Sequence, residues 1–420
     1  MDKLVIEGGL RLEGEVTVSG SKNSCLPILA ATLLTDEPCV IKGAPCLRDT
    51  STMLRILRSL GKNAEQDGAS IRITATKHKG WVADYRLVST MRASFCVLGP
   101  LLGRFHKAQV SLPGGCIIGV RPVDLHVKGL RSLGAQIEVR AGYVVAQCRQ
   151  LKGAHMYLGG AYGSSVLATG NVMMAAVLAR GTTVIEAAAC EPEVQDLAEF
   201  LIAMGAKIKG HGTPVVEITG VKALHGATHD VIPDRIEAGT MILASLITNG
   251  DLVVSNVCTQ HLGALLDKLN EMGAGVTPAK NGIRVRRVRR LKPVSVSTLP
   301  YPGFPTDMQA QIMSLLSVTA GISVINEKIY PDRFMHVSEL NRMGARIQRE
   351  GPNAVVEGVR QLSGAPVMAS DLRASACLVL AGLAARGKTS IHRIYHLERG
   401  YENIEQKLSN VGARIWREKE

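Results

Sequence analysis

The chain has 420 residues, 46% of them apolar and 20% charged, which excludes wholesale disorder and a disulfide scaffold and leaves room for two or three buried cores. A balance of 49 Lys and Arg against 36 Asp and Glu gives a net charge of +13 and favours anionic ligands, while aromatic residues at 4% are too scarce to stack along nucleic acid. The cysteines number 9, an odd count with no CxxC pair, and there is neither an apolar leader nor a run of ~18 apolar residues, so the expectation is a soluble chain in a reducing cytoplasm.

Taken in chain order, the predicted elements repeat. A helix start at Gly20-Ser21-Lys22-Asn23 leads into the apolar Leu26-Pro27-Ile28-Leu29-Ala30-Ala31, and a further helical pattern closes at Leu60-Gly61. Thr90-Met91-Arg92-Ala93-Ser94 opens the next cycle, which closes at Leu133-Gly134-Ala135. Ser164-Ser165 opens the third, closing at Met204-Gly205-Ala206, and Pro233-Asp234-Arg235-Ile236-Glu237 the fourth, closing at Met272-Gly273-Ala274. Pro305-Thr306-Asp307-Met308-Gln309 and Asp371-Leu372-Arg373-Ala374-Ser375 open the last two, which close at Met343-Gly344-Ala345 and Val411-Gly412-Ala413. The closing glycines lie 73, 71, 68, 71 and 68 residues apart. Each reads as a helix C-cap with positive φ that leads into a short alternating strand.

Six such units predict an α/β fold of two domains, each a ring of three units with apolar helices inside and sheets outside. If equivalent helices share a direction, their N-termini converge, and unpaired N–H groups and partial positive charge collect at one face of each domain. Two such faces opposed would form an anion-binding cleft. Capping explains Ser, Thr and Asp at the helix starts but not Lys22, Arg92 or Arg373, since a cation is disfavoured there; these residues therefore point to a ligand.

Leu112 through His126 gathers three glycines and two prolines around Cys116 and Arg121 and reads as a lid, whose thiol could serve as acid or nucleophile. Asp307 is either an N-cap or, in a cationic cleft, an ionised base for a substrate hydroxyl. Asp371 with Arg373, and Asp234 with Arg235, read more strongly as structural ion pairs. In Arg284 through Arg290, Arg alternates with Val as on a half-exposed strand rather than on a nucleic-acid patch. Patterns for metal, dinucleotide or a Walker phosphate loop are absent, so no cofactor and no metal site is expected.

Taken together, Ser19 through Asn23, Thr90 through Ser94, Leu112 through His126, Glu191-Pro192-Glu193, Pro233 through Glu237, Phe304 through Gln311, Arg333 through His336, Asp371 through Ser375, Arg393 through His396 and Arg399 through Glu402 resemble the UDP-N-acetylglucosamine 1-carboxyvinyltransferase family, nearly end to end. The resemblance implies a two-domain inside-out α/β barrel, with residues 1–21 and 232–420 in one domain and 22–231, carrying a lid at 112–122, in the other. It implies transfer of the enolpyruvyl group of phosphoenolpyruvate, a co-substrate rather than a cofactor, to the 3-hydroxyl of UDP-N-acetylglucosamine with release of phosphate, the first committed step of peptidoglycan synthesis.

Carried over by position, Lys22, Arg121 and Arg399 hold the phosphate and carboxylate of phosphoenolpyruvate, and Asn23 helps to orient the substrates. Asp307 takes the proton of the attacking hydroxyl. Cys116 delivers a proton and is the residue that fosfomycin alkylates. Arg92, Arg121, Pro122, Val123, Asp124, Leu125 and Ile329 match contacts to the UDP-sugar, and Arg333, Asp371 and Arg373 belong to further matching stretches.

Two departures stand out. Gly160 through Thr169 lacks the lysine usual there, leaving Ser164 and Ser165 to face a phosphate, and Cys190 replaces an arginine before Glu191-Pro192-Glu193. The rival readings are 5-enolpyruvylshikimate-3-phosphate synthase, which lacks the lid cysteine, an RNA-end-processing protein related to RNA 3′-phosphate cyclases, and a non-catalytic paralogue. The partners expected are the two small anionic substrates, with no nucleic acid, membrane or obligate protein partner.

Overall fold

A computed structural model describes residues 2–76, 80–113, 123–288 and 290–420, and the chain divides into two compact units. One holds the residues up to Ser19 together with Pro233–Glu420; the other holds the described residues from Gly20 to Ile232.

Six four-stranded sheets follow one plan, three in each unit. The unit from His155 to Thr219 shows it. An edge strand, His155–Tyr157, is followed by the buried helix Val166–Ala176 and by Thr182–Glu186, which runs parallel to the edge strand. A second helix, Pro192–Ala203, leads through Gly205 into Lys207–Lys209 and its antiparallel partner Val215–Thr219, which lies in the middle of the sheet against Thr182–Glu186. Parallel pairing needs a crossover, and the buried helix supplies it.

The six glycines that close the second helices have φ of 96° at Gly61, 91° at Gly134, 98° at Gly205, 82° at Gly273, 92° at Gly344 and 102° at Gly412. A side chain at such a φ is strained, which accounts for glycine at every return of the repeat.

Two edge strands come from distant sequence. Glu13–Thr17 pairs parallel with Asp251–Ser255, and Thr228–Asp230 pairs parallel with Cys39–Lys42. The N-terminal strand Asp2–Glu7 lies between Lys388–His392 and Arg414–Lys419, antiparallel to both. The chain therefore leaves one unit after Ser19 and re-enters it at Pro233.

Each unit has its own core. In one, the helices Arg235–Ile247, Gln309–Ser317 and Leu372–Ala384 pack on one another, and every residue from Ile236 to Ile247 is buried. In the other, Val166–Ala176 packs on Leu98–Phe105 and on Lys22–Ala31. Small residues allow the close approach: a Cβ on Gly99 would meet the Asn171 carbonyl oxygen at 2.1 Å. The sheets expose their outer faces, as the strand Gly282–Arg286 shows with Ile283 and Val285 buried and Arg284 and Arg286 exposed. Two expected helix starts are tighter turns: Arg92–Val97 and Thr306–Met308 are 3-10 segments that precede Leu98–Phe105 and Gln309–Ser317. Such a turn is a common way to begin a helix whose first amides lack partners. Among the described residues no helix is long and apolar enough to cross a membrane.

Some polar groups inside the cores are matched, while others, such as the side-chain amide of Gln309, have no hydrogen-bond partner among the described residues. Asn171 donates to the Phe95 carbonyl at 2.9 Å and accepts from the Gly99 amide at 2.6 Å, and its Nδ2 lies 2.9 Å from Nδ1 of the buried His126. Burial, then the nearby Arg92, pushes the His126 pKa down to about 3. Burial likewise pushes His336 down to about 4, with Asp371 pulling the other way. A folded pKa below the unfolded value of about 6.5 means that the unfolded chain takes a proton that the folded ring refuses. Stability is then whole above about pH 6.5 and falls as the pH drops toward the folded values. Urea unfolding midpoints should decline from about pH 6.5 to about pH 4, each ring adding a slope approaching about 1.4 kcal/mol per pH unit. A His126→Gln variant should show a shallower decline, and an unchanged slope in that variant would exclude the ring as a source.

Candidate active site

Asp307 lies in the turn Thr306–Met308 at the head of the buried helix Gln309–Ser317. Its carboxylate does not cap that helix. Oδ1 accepts from Arg333 at 2.8 Å and Oδ2 from Arg373 at 2.9 Å. Both guanidiniums are buried, at 5% and 3% side-chain exposure, whereas 26% of the Asp307 side chain reaches solvent, so the carboxylate is the open face of the cluster. Enclosure by protein raises its pKa, but Arg373 and then Arg333 outweigh that effect and hold it well below the usual carboxylate range.

The other two acids at helix starts behave differently. Asp371 Oδ1 accepts from the amides of Arg373 at 2.9 Å and Ala374 at 3.1 Å, and Asp234 Oδ1 accepts from Ile236 at 2.8 Å and Glu237 at 2.9 Å. These two are N-caps. Arg373 directs its guanidinium to Asp307, across to the neighbouring helix start, rather than forming the local pair with Asp371 that its sequence position favoured.

Arg373 is also held from behind. Its NH1 donates to Tyr401 Oη at 3.3 Å, and that hydroxyl meets Thr240 Oγ1 at 2.9 Å and Gln311 Nε2 at 3.1 Å. Thr240, Gln311 and Arg373 come from the three core helices of this unit, so the heads of those helices do meet. Thr240 and Gln311 carry no assignment from sequence; the signal was a hydroxyl and an amide on otherwise apolar helices. Arg399, in the turn Ile394–Arg399, and Ile329, beyond the strand Ile322–Asn326, are half-buried in the same unit.

The remaining candidates belong to the other unit. Lys22 is the first residue of the helix Lys22–Ala31, capped by Ser21, and its ammonium lies 3.3 Å from Asp49 Oδ2 with both side chains mostly buried. That partner explains how a cation is tolerated at the positive end of a helix. Asn23 is half-buried beside it, and Arg92, half-buried, opens the turn Arg92–Val97. Val123 and Leu125 are half-buried and Asp124 is exposed at the head of the helix Asp124–Ser132.

Ser165 caps Val166–Ala176 by accepting from the Ala168 amide at 3.3 Å, with Ser164 half-buried before it. The altered stretch closes on itself: Gly160 and Gly163 exchange amide-to-carbonyl hydrogen bonds of 2.9 and 3.1 Å. Cys190 directs its thiol at the Ala188 carbonyl 3.6 Å away, and burial raises its pKa. Cys116, Arg121 and Pro122 lie outside the described residues, as does the lid from Gly114 onward. Among the described residues no three His, Cys, Asp or Glu side chains gather to hold a metal ion.

Thus Asp307, Arg333 and Arg373 are brought into direct contact, with Asp371 at the head of the same helix as Arg373. The chain matches the EPSP synthase (3-phosphoshikimate 1-carboxyvinyltransferase) family over residues 6–408. The UDP-N-acetylglucosamine 1-carboxyvinyltransferase of Methylacidiphilum infernorum (isolate V4) is 54% identical over 99% of this chain and 99% of its own length. The protein of the same name from Myxococcus xanthus (strain DK1622) is 52% identical over 100% of both. Among solved structures, the enolpyruvyl transferase NikO from Streptomyces tendae is similar at a TM-score of 0.90 and 25% identity, covering 99% of this chain and 98% of that one. The six-unit architecture is therefore that of the enolpyruvyl transferases, and identity above one half along the whole length favours the UDP-sugar enzymes over the rival readings. The chain belongs to the UDP-N-acetylglucosamine 1-carboxyvinyltransferase family.

Proposed function

We propose that this protein transfers the enolpyruvyl group of phosphoenolpyruvate to the 3-hydroxyl of UDP-N-acetylglucosamine and releases phosphate, in the cytoplasm, as the first committed step of peptidoglycan synthesis. End-to-end identity to proteins named for that transfer carries the reading. The reaction is addition followed by elimination. In the addition, the sugar oxygen bonds to C2 of phosphoenolpyruvate, C3 gains a proton and the hydroxyl loses one. In the elimination, the new methyl group gives up a proton, the bond from C2 to the phosphate oxygen breaks and phosphate leaves.

Asp307 accepts the hydroxyl proton, releases it before the elimination and, ionised again, takes the methyl proton. Cys116, on the lid, donates the proton to C3. Lys22, Arg121 and Arg399 bind the phosphate and carboxylate of phosphoenolpyruvate and stabilise the tetrahedral intermediate, with Asn23 orienting the reactants. Arg92, Pro122, Val123, Asp124, Leu125 and Ile329 contact the UDP-sugar. In place of the lysine that the family carries near Gly160, Ser164 and Ser165 donate to a phosphate. Ser165 suits this role, because capping uses its oxygen as an acceptor and leaves its proton to give away.

The clamp on Asp307 shapes its chemistry. Two guanidiniums keep it ionised and aimed, and by the same attraction they make it a weak base. An anionic substrate group that draws on either arginine loosens the clamp and raises the basicity of the carboxylate as the proton is taken. Asp371, occupied as a cap, contributes by orienting the head of the Arg373 helix.

Phosphate release should require both phosphoenolpyruvate and UDP-N-acetylglucosamine, and Asp307→Ala should lower it by about 10²–10⁴-fold. Unchanged turnover in that variant would remove Asp307 from the mechanism. Replacing Arg373 with Gln takes away the stronger of the two cations, so the Asp307 pKa rises and the carboxylate protonates at higher pH. The acid limb of the kcat/KM profile should then move to higher pH than in the parent; a limb that stays in place would mean that another group titrates.

A further inference from the structure

The strand Ile322–Asn326 alternates between core and solvent, with Ser323 and Ile325 buried. The residue that continues the inward parity is Glu327, an acid with 0% exposure. In the other five units the residue after the equivalent strand is Gly43, Leu112, Ala187, Asn256 or Arg393. Four of these, Gly43, Ala187, Asn256 and Arg393, turn the chain at positive φ, and Glu327 does not. The repeat therefore needs no carboxylate here, and this unit, which is also the one that carries Asp307, departs from the shared pattern.

A carboxylate is costly to bury unless donors surround it. Oε1 of Glu327 accepts from Thr298 Oγ1 at 2.7 Å and from the amides of Ile329 at 2.9 Å and Tyr330 at 3.0 Å. Oε2 accepts from Thr306 Oγ1 at 2.9 Å. Thr306 thus gives its one proton to Glu327 and turns a lone pair toward Arg333, whose NH1 donates to it at 3.0 Å. The second hydrogen of that NH1 goes to Asp307 Oδ1 at 2.8 Å. Were the Thr306 proton to point the other way, it would face an N–H, and Arg333 would lose one of its two fixed partners.

We infer that Glu327 is a positioning residue for the reaction: by fixing the direction of the Thr306 hydroxyl it holds Arg333 in place on Asp307, and by accepting from Ile329 and Tyr330 it anchors the neighbouring segment. This deepens the reading of Asp307 as the base and rests on it.

Glu327→Gln tests the inference through a single bond. The amide oxygen can keep the three donors at Thr298, Ile329 and Tyr330, while its NH2 group now donates to Thr306 where the carboxylate accepted. The folded variant should lose roughly ten- to hundredfold in kcat, the scale expected when a reacting group is slightly misplaced. KM for UDP-N-acetylglucosamine should stay within about twofold, since the Ile329 anchor survives, and the acid limb of the pH profile should move up as Arg333 loosens. Thr306→Val cuts the same link without touching Glu327 and should give the same kcat loss, Thr306→Ser should restore activity, and the double variant Glu327→Gln with Thr306→Val should be no worse than either alone.

Normal kcat per folded molecule in both single variants, with Asp307→Ala inactive, would overturn the positioning role and leave the base intact. Full activity in Asp307→Ala would instead bring down the base reading beneath it. Should Glu327→Gln fail to fold, Thr306→Val decides the question by the same readouts.

Discussion

One carboxylate between two buried guanidiniums organises the chemistry of this chain. Three apolar helices can bury charged groups at their heads only if those groups answer one another, and Asp307 with Arg333 and Arg373 is the answer in this unit. The surrounding hydrogen bonds follow from it. Tyr401 braces Arg373, Thr240 and Gln311 brace Tyr401, and Thr306 braces Arg333 against Glu327. Removing any member would leave a buried polar group without its partner, so the bonds of the cluster depend on one another.

Much of the architecture was legible because the repeat is written in backbone constraints. A glycine at positive φ has no substitute that is free of strain, and its return at intervals of 68 to 73 residues marks the end of each second helix. Helices without a polar face declared themselves buried. The pairing of Glu13–Thr17 with Asp251–Ser255 was not legible, because periodicity states that a strand exists and says nothing about its distant partner.

The candidate site was legible to a lesser degree. Lys22 and Arg373 stood out because a cation at a helix head is anomalous, and both prove to be paired with acids remote in sequence, Asp49 and Asp307. Asp307 was balanced between cap and base on sequence alone, since the two roles use the same residue type at the same place. Geometry separates them: the caps are Asp234 and Asp371, while the oxygens of Asp307 turn to side chains. Glu327 shows the other limit. An acid one step past a strand reads as the start of a loop, and only the inward parity of Ser323 and Ile325 places it in the core.

The strands that join far-apart stretches set an order for biosynthesis. Residues 20–232 contain all the sheet partners of one unit and can close as soon as they leave the ribosome. Asp2–Glu7 has to wait until Lys388–His392 and Arg414–Lys419 emerge, roughly 20 to 80 seconds later at ordinary translation speeds of about 5–20 residues per second. Leu4, Val5 and Ile6, buried in the finished fold, therefore lack their flanking strands for most of synthesis, an apolar strand edge of the kind that invites wrong pairing.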